Sequence, residues 1–208
     1  MPVHFPTAAS DLAGLVALVP RDRLDGPGLG EWTLRELIGH TTRAISTVTA
    51  YLELPEPPAA TVHSASEYLE VVLRQRGDDE AILLRGRAAG AELGDDLVSE
   101  VEALGIEAAA AVDAAGPDRL VTVGSGPEPV AMRLDEYLRT RVFELTVHGI
   151  NIADAAGVAW APAPAHVLDA LHLAAANASA RGMGVEALRS LTGRRPETGL
   201  DGVMRAGR

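Results

Sequence analysis

Along most of the chain, apolar residues return at intervals of three and four, the period of helices with one buried face. The first such segment covers about Thr7 to Val19 and is stopped near Pro20. "RDRLDGPGLG" then reads as a loop, because turn-forming residues crowd it. The next start is sharply marked in "EWTLRELIGH". Thr33 and Glu36 have capping-box spacing, and Trp32 with Leu37 has that of a hydrophobic staple. This second helix carries Leu34, Leu37, Ile38, Ile45 and Val48, and fades near "LELPEPP". Ser64 and Glu67 repeat the capping-box pattern ahead of a helical run through "YLEVVLRQRGDDEAILLRGRAAGAEL".

An alanine-rich helix is predicted over about Asp95 to Ala115. "LVTVGSGPEPVAMRL" breaks the period with two short β-like runs around a turn, the mark of a hairpin. A further helix runs from about Leu134 to Ala156, with Gly157 at its end, and another from about Pro164 to Ala180 or beyond. Residues from about 193 read as a short C-terminal tail. Six helical segments and one hairpin predict a mainly α-helical protein, a helix bundle with added helices. No composition break divides residues 1–208, so a single domain is expected.

Composition narrows this picture. Aromatics are only 3% of 208 residues, so the core must be built from Ala, Leu and Val, which suits closely packed helices. The net charge of −11 argues against nucleic acid and anionic membrane surfaces as partners. No apolar run approaches the roughly 18 residues of a membrane span, and the N-terminus lacks a signal-peptide pattern. A cytoplasmic protein is expected. There is no cysteine, so disulfides and thiolate metal sites are excluded.

The candidate chemistry lies in "RVFELTVHGI". Tyr137, Arg141, Glu144, His148 and Asn151 follow one another at helical spacing, forming one polar stripe among apolar residues. Taken alone, the stripe fits a solvent face as well as a chemical one. His40, about two turns into the second helix, changes the balance. Were the two helices to face each other, His40, Glu144 and His148 would bring two imidazoles and a carboxylate together. Divalent metals accept that set, and catalytic zinc sites of this kind keep a position for water or substrate. Zinc suits it best, while nickel, manganese or iron would also fit. His166, Asp169 and His172 form a second apparent cluster, but a spacing of six puts the two histidines on different sides of a helix.

"WTLRELIGH", a long spacer and "RVFELTVHGINIADAAG" together resemble the N-terminal domain of mycothiol-dependent maleylpyruvate isomerase. That domain belongs to the DinB-like superfamily of metal-binding four-helix bundles. The resemblance covers most of the chain and implies His40, Glu144 and His148 as metal ligands. Arg141 matches an arginine of the family motif three residues before the glutamate, a candidate catalytic or anion-binding group. Asn151 stands where the family usually has an aspartate. The isomerase carries a further C-terminal domain, and these residues end before one. The implied function is therefore that of a metal-dependent S-transferase or isomerase-like protein acting on a small electrophile, with mycothiol as the thiol, more than maleylpyruvate isomerisation itself. A non-catalytic, stress-associated metal- or ligand-binding module is the alternative. The expected partners are a small-molecule thiol and an electrophile, and a homodimer is compatible with the sequence.

Overall fold

A computed structural model describes residues 4–75, 79–116, 118–124 and 129–192. In chain order these form α1 (Phe5–Leu18), a 3-10 turn (Arg21–Arg23), α2 (Leu34–Leu52), α3 (Ala65–Gln75), α4 (Asp79–Glu92) and α5 (Leu97–Ala115). There follow β1 (Leu120–Val123), β2 (Val130–Arg133), α6 (Leu134–Ala156), α7 (Pro164–Ala180) and α8 (Gly184–Leu191). The mainly helical fold with a small hairpin agrees with the sequence pattern. The single run expected after Ser64 is described as two helices, α3 and α4, and residues 76–78 between them lie outside the described ones. The expected tail from 193 and the hairpin tip at 125–128 also lie outside them.

Helices α1, α5, α2 and α6 pack in that cyclic order, each touching the next, and enclose the main core. Each contributes large or tightly packed apolar residues: Leu12 and Leu15 from α1, Ile45 and Val48 from α2, Val101 and Ala108 from α5, Leu145 and Ile152 from α6. Outside this ring, α4 lies along α2, while α3 and α7 cover α6. The hairpin pairs antiparallel, Leu120 with Arg133 through Val123 with Val130, and leads directly into α6. No helix among the described residues is long and apolar enough to cross a membrane.

The predicted caps form. Thr33 and Glu36 make a complete, reciprocal capping box at the start of α2. At α3 the device is shifted: Ser64 Oγ accepts from the Glu67 amide, but Glu67 reaches back to the amide of His63. Gly157 ends α6 in the left-handed region, at φ +70°, where a side chain would be strained.

His166 ties α7 to α1. It is buried, with Nδ1 3.1 Å from Asp11 and Nε2 3.0 Å from the Thr7 hydroxyl. An ionised carboxylate only accepts, so Nδ1 carries a hydrogen toward Asp11. Of the His166–Asp169–His172 grouping, His166 alone takes part in this clasp among the described residues.

Candidate metal centre

The capping box fixes where α2 begins and so sets the rotation at which His40 leaves the helix. Beyond His40, the polar "TTR" does not open α2 to solvent. Thr41 and Thr42 are buried, their hydroxyls donating to the carbonyls of Leu37 and Gly39. α6 presents Glu144 and His148 one turn apart on the side facing α2. His148 Nε2 lies 3.1 Å from Glu144 Oε2. The His40 and His148 rings meet edge to face with centroids 5.0 Å apart. One ligand atom from each of His40, Glu144 and His148 can be chosen so that all lie within 4.8 Å of one another.

The polar stripe of α6 thus faces protein, not bulk solvent. His148 and Glu144 expose only 16% and 29% of their side chains. Two imidazoles and a carboxylate on two facing helices fit a divalent cation by donor type. A more specific sign is that His40 Nδ1 is buried with no hydrogen-bond partner among the described residues. A buried polar atom left in that state costs about 1–3 kcal/mol.

Electrostatics keep the set in the forms a cation needs. Burial, followed by the neighbouring His148, lowers the pKa of His40 from 6.5 to about 4, so its imidazole is neutral near pH 7. Burial by itself would raise Glu144. The hydrogen bond and charge of His148, aided by Arg141, outweigh it and lower the carboxyl to about 2.

Both shifts make the metal-free fold acid-labile. Below pH 6.5 the unfolded chain protonates His40 while the folded one does not, so this contribution to stability falls from there to about pH 4. Stability from Glu144 is present above its ordinary value of 4.5 and is lost as pH falls toward 2. Urea unfolding of chelator-treated protein should show stability declining between pH 6.5 and 4, by at most about 1.4 kcal/mol per pH unit from one group. His40→Gln should flatten that segment; an unchanged slope in this variant would refute the assignment.

Arg141, the candidate catalytic or anion-binding group, makes no salt bridge to Glu144. Its guanidinium lies 4.8 Å above the Tyr137 ring, and Nε donates to Thr140 Oγ1 at 3.1 Å. Among the described residues it forms no ion pair; Glu144 is instead held by His148. Tyr51 and Tyr68 flank Tyr137, with ring centroids 5.7 and 6.3 Å from it. Tyr137 is buried, and burial pushes its pKa up, as it does that of Tyr68. The Thr47 hydroxyl donates to the Arg43 carbonyl, so Tyr137 donates to Thr47 at 2.8 Å. Asn151 makes a long contact, 3.5 Å, from its amide nitrogen to His148 Nδ1.

Trp32 belongs to this site in a way its staple spacing did not disclose. Its indole stacks on the His40 ring, with centroids 4.3 Å apart and planes inclined by 29°. The indole N–H donates to the Leu83 carbonyl of α4 at 3.1 Å. The one available signal was that a half-buried indole needs an acceptor for its N–H.

A family profile described as "Mycothiol maleylpyruvate isomerase N-terminal domain" matches residues 5–153. The matched stretch begins with α1, includes His40, Glu144 and His148, and ends near the close of α6. No curated protein and no solved structure is significantly similar to the chain.

Proposed function

The chain belongs to the mycothiol maleylpyruvate isomerase N-terminal domain family, and from that premise we propose that it is a metal-dependent, thiol-utilising S-transferase. In this reading His40, Glu144 and His148 hold a divalent cation, with zinc the first choice for two imidazoles and a carboxylate. The carrying observation is the convergence of these three ligand atoms within 4.8 Å beside a His40 nitrogen that has no partner. Such an ion, when bound, stabilises a thiolate and so allows a low-molecular-weight thiol to act as nucleophile near neutral pH. The protein has no cysteine of its own to serve that purpose. Family membership favours mycothiol as the thiol.

The remaining roles follow from the chain's own groups. Glu144 brings a negative charge that is ionised across the physiological range. Asn151 steadies His148 from the far side of its ring: the amide can donate to Nδ1, or turn and accept from Nδ1–H. Arg141, free of any carboxylate partner among the described residues, is available to an anionic group on the electrophile. Arg141→Met should raise KM for a carboxylate-bearing electrophile by about 10-fold or more, the worth of a charged hydrogen bond, and leave that for its neutral amide little changed. Equal effects on both substrates would remove this role.

A second reading, a non-catalytic metal- or ligand-binding module, draws support from Asn151. The group behind His148 is neutral, and its contact is long. Conjugation of mycothiol and simpler thiols to an electrophile, with and without added zinc, separates the two. Zinc-dependent turnover supports the transferase; thiol or metal binding without turnover supports the module.

A further inference from the structure

A histidine that ligates a metal ordinarily has its second ring nitrogen hydrogen-bonded to a carboxylate, carbonyl or water, which fixes the ring plane. His148 has such a neighbour in Asn151. Among the described residues neither ring nitrogen of His40 has a hydrogen-bond partner, so whichever one takes the metal, the other lacks such a neighbour. The His40 ring is instead covered on one face by Trp32 and met at an edge by His148. We infer that Trp32, backed by α4, is the positioning residue for His40, setting by ring stacking the orientation that a hydrogen bond would otherwise set. This rests on the metal-binding reading of His40, Glu144 and His148.

The stack is built from outside the ligand set. Trp32 immediately precedes the N-cap of α2, and its indole N–H is anchored on Leu83. The indole also packs closely against Gly86 on α4. A Cβ at that position would stand 2.7 Å from the indole nitrogen and 2.8 and 2.9 Å from Cε2 and Cζ2. The indole therefore touches both the α4 backbone and the imidazole. α4 is itself pinned to the first turn of α2. Arg87 pairs with Glu36 at 3.4 Å, and Gly90 packs directly against the backbone of Arg35 and Glu36.

Gly86→Ala is thus a clean probe, because its effects on the helix and on the site have opposite signs. Alanine is favoured over glycine inside a helix by about 1 kcal/mol, so helix propensity predicts a more stable α4. The added methyl would nevertheless displace the indole from its place on His40. Zinc affinity of the full chain, measured by competition with a chromogenic chelator, is expected to fall about 10-fold in Gly86→Ala. A fall of about 10- to 100-fold is expected in Trp32→Ala, the range seen when a ligand's supporting partner is lost. Trp32→Phe, which keeps a ring but not the N–H, should recover most of that loss.

Two further readouts separate positioning from general destabilisation. The metal-free melting temperature of Gly86→Ala should stay level or rise while its affinity falls. In metal-free protein, the His40 ring protons should lose the ring-current displacement due to Trp32 in Trp32→Ala. Wild-type protein that takes up no zinc overturns the metal reading and this inference with it. Zinc uptake with unchanged affinity in both Gly86→Ala and Trp32→Ala overturns the inference alone. An affinity loss in Gly86→Ala that merely follows a lowered melting temperature also overturns it.

Discussion

Replacing His148 by alanine is expected to strip the protein of bound metal and of any metal-dependent turnover. Two of the three candidate ligands would remain, His40 and Glu144, and they come from different helices. A chelate reduced to two donors should lose more than the roughly 10- to 100-fold typical of losing a supporting group behind a ligand. The change also acts without metal. Glu144 loses its hydrogen-bond donor at 3.1 Å, and the burial that opposes its charge is no longer outweighed by His148. Its pKa should then rise, and the metal-free protein should be destabilised by about 1–3 kcal/mol, the toll of leaving a shielded polar group unpaired. Metal content of protein purified without an affinity tag, together with urea unfolding after chelation, measures both effects. If the variant held as much metal as the wild type, His148 would not be a ligand.

The second large effect is expected where two backbones nearly touch. A Cβ added at Gly39 would lie 2.1 Å from the amide nitrogen of Gly90 and 2.4 Å from its Cα. These are main-chain atoms of α4 and cannot turn aside, so Gly39→Ala must push α2 and α4 apart. Helix propensity favours the alanine by about 1 kcal/mol, but overpacking a tight core contact costs about 1–3 kcal/mol and sometimes more. With backbone on both sides of the clash, the unfavourable effect should dominate, by about 2 kcal/mol. At roughly 2–4 °C per kcal/mol for a chain of this size, the melting temperature should fall by about 4–8 °C. The same separation would draw Leu83 and Gly86 away from Trp32, so zinc affinity should fall too. Gly14→Ala in α1 is the control: a Cβ there meets nothing within 4 Å, and propensity alone predicts a neutral or slightly raised melting temperature. If Gly39→Ala were as stable as this control, the close crossing of α2 and α4 would be wrong.

Much of the site was legible because its ligands are spaced by local rules. Glu144 and His148 are four apart, a helix stacks residues four apart, and a capping box at Thr33 phases His40 on α2. Whether the stripe on α6 faced solvent or protein was not legible. That depends on which helix lies opposite, and helical period carries no information about a neighbour. Arg141 shows the same limit. Its spacing allowed an ion pair with Glu144, yet the guanidinium rests on Tyr137 and the carboxylate is engaged by His148.

The split of one expected helix into α3 and α4 matters for the same reason. As one continuous rod, residues 64–93 could not have returned along α2 to place Leu83 and Gly86 on Trp32. The glycines at 39, 86 and 90 read as weak points of helices. In the folded chain they are the contacts where α4 approaches α2 and Trp32 most closely.

By itself, then, the sequence determined the helical class and the ends of α2 and α6, which are encoded within a few residues through period and caps. The three candidate ligands were singled out by the resemblance to a known family, on residues far apart in the chain. Only the tertiary structure decided that α2 and α6 face each other, that Arg141 has no carboxylate partner among the described residues, and that Trp32 lies on His40. Those outcomes depend on residues tens of positions apart competing for the same space, and packing, not local preference, resolves that competition.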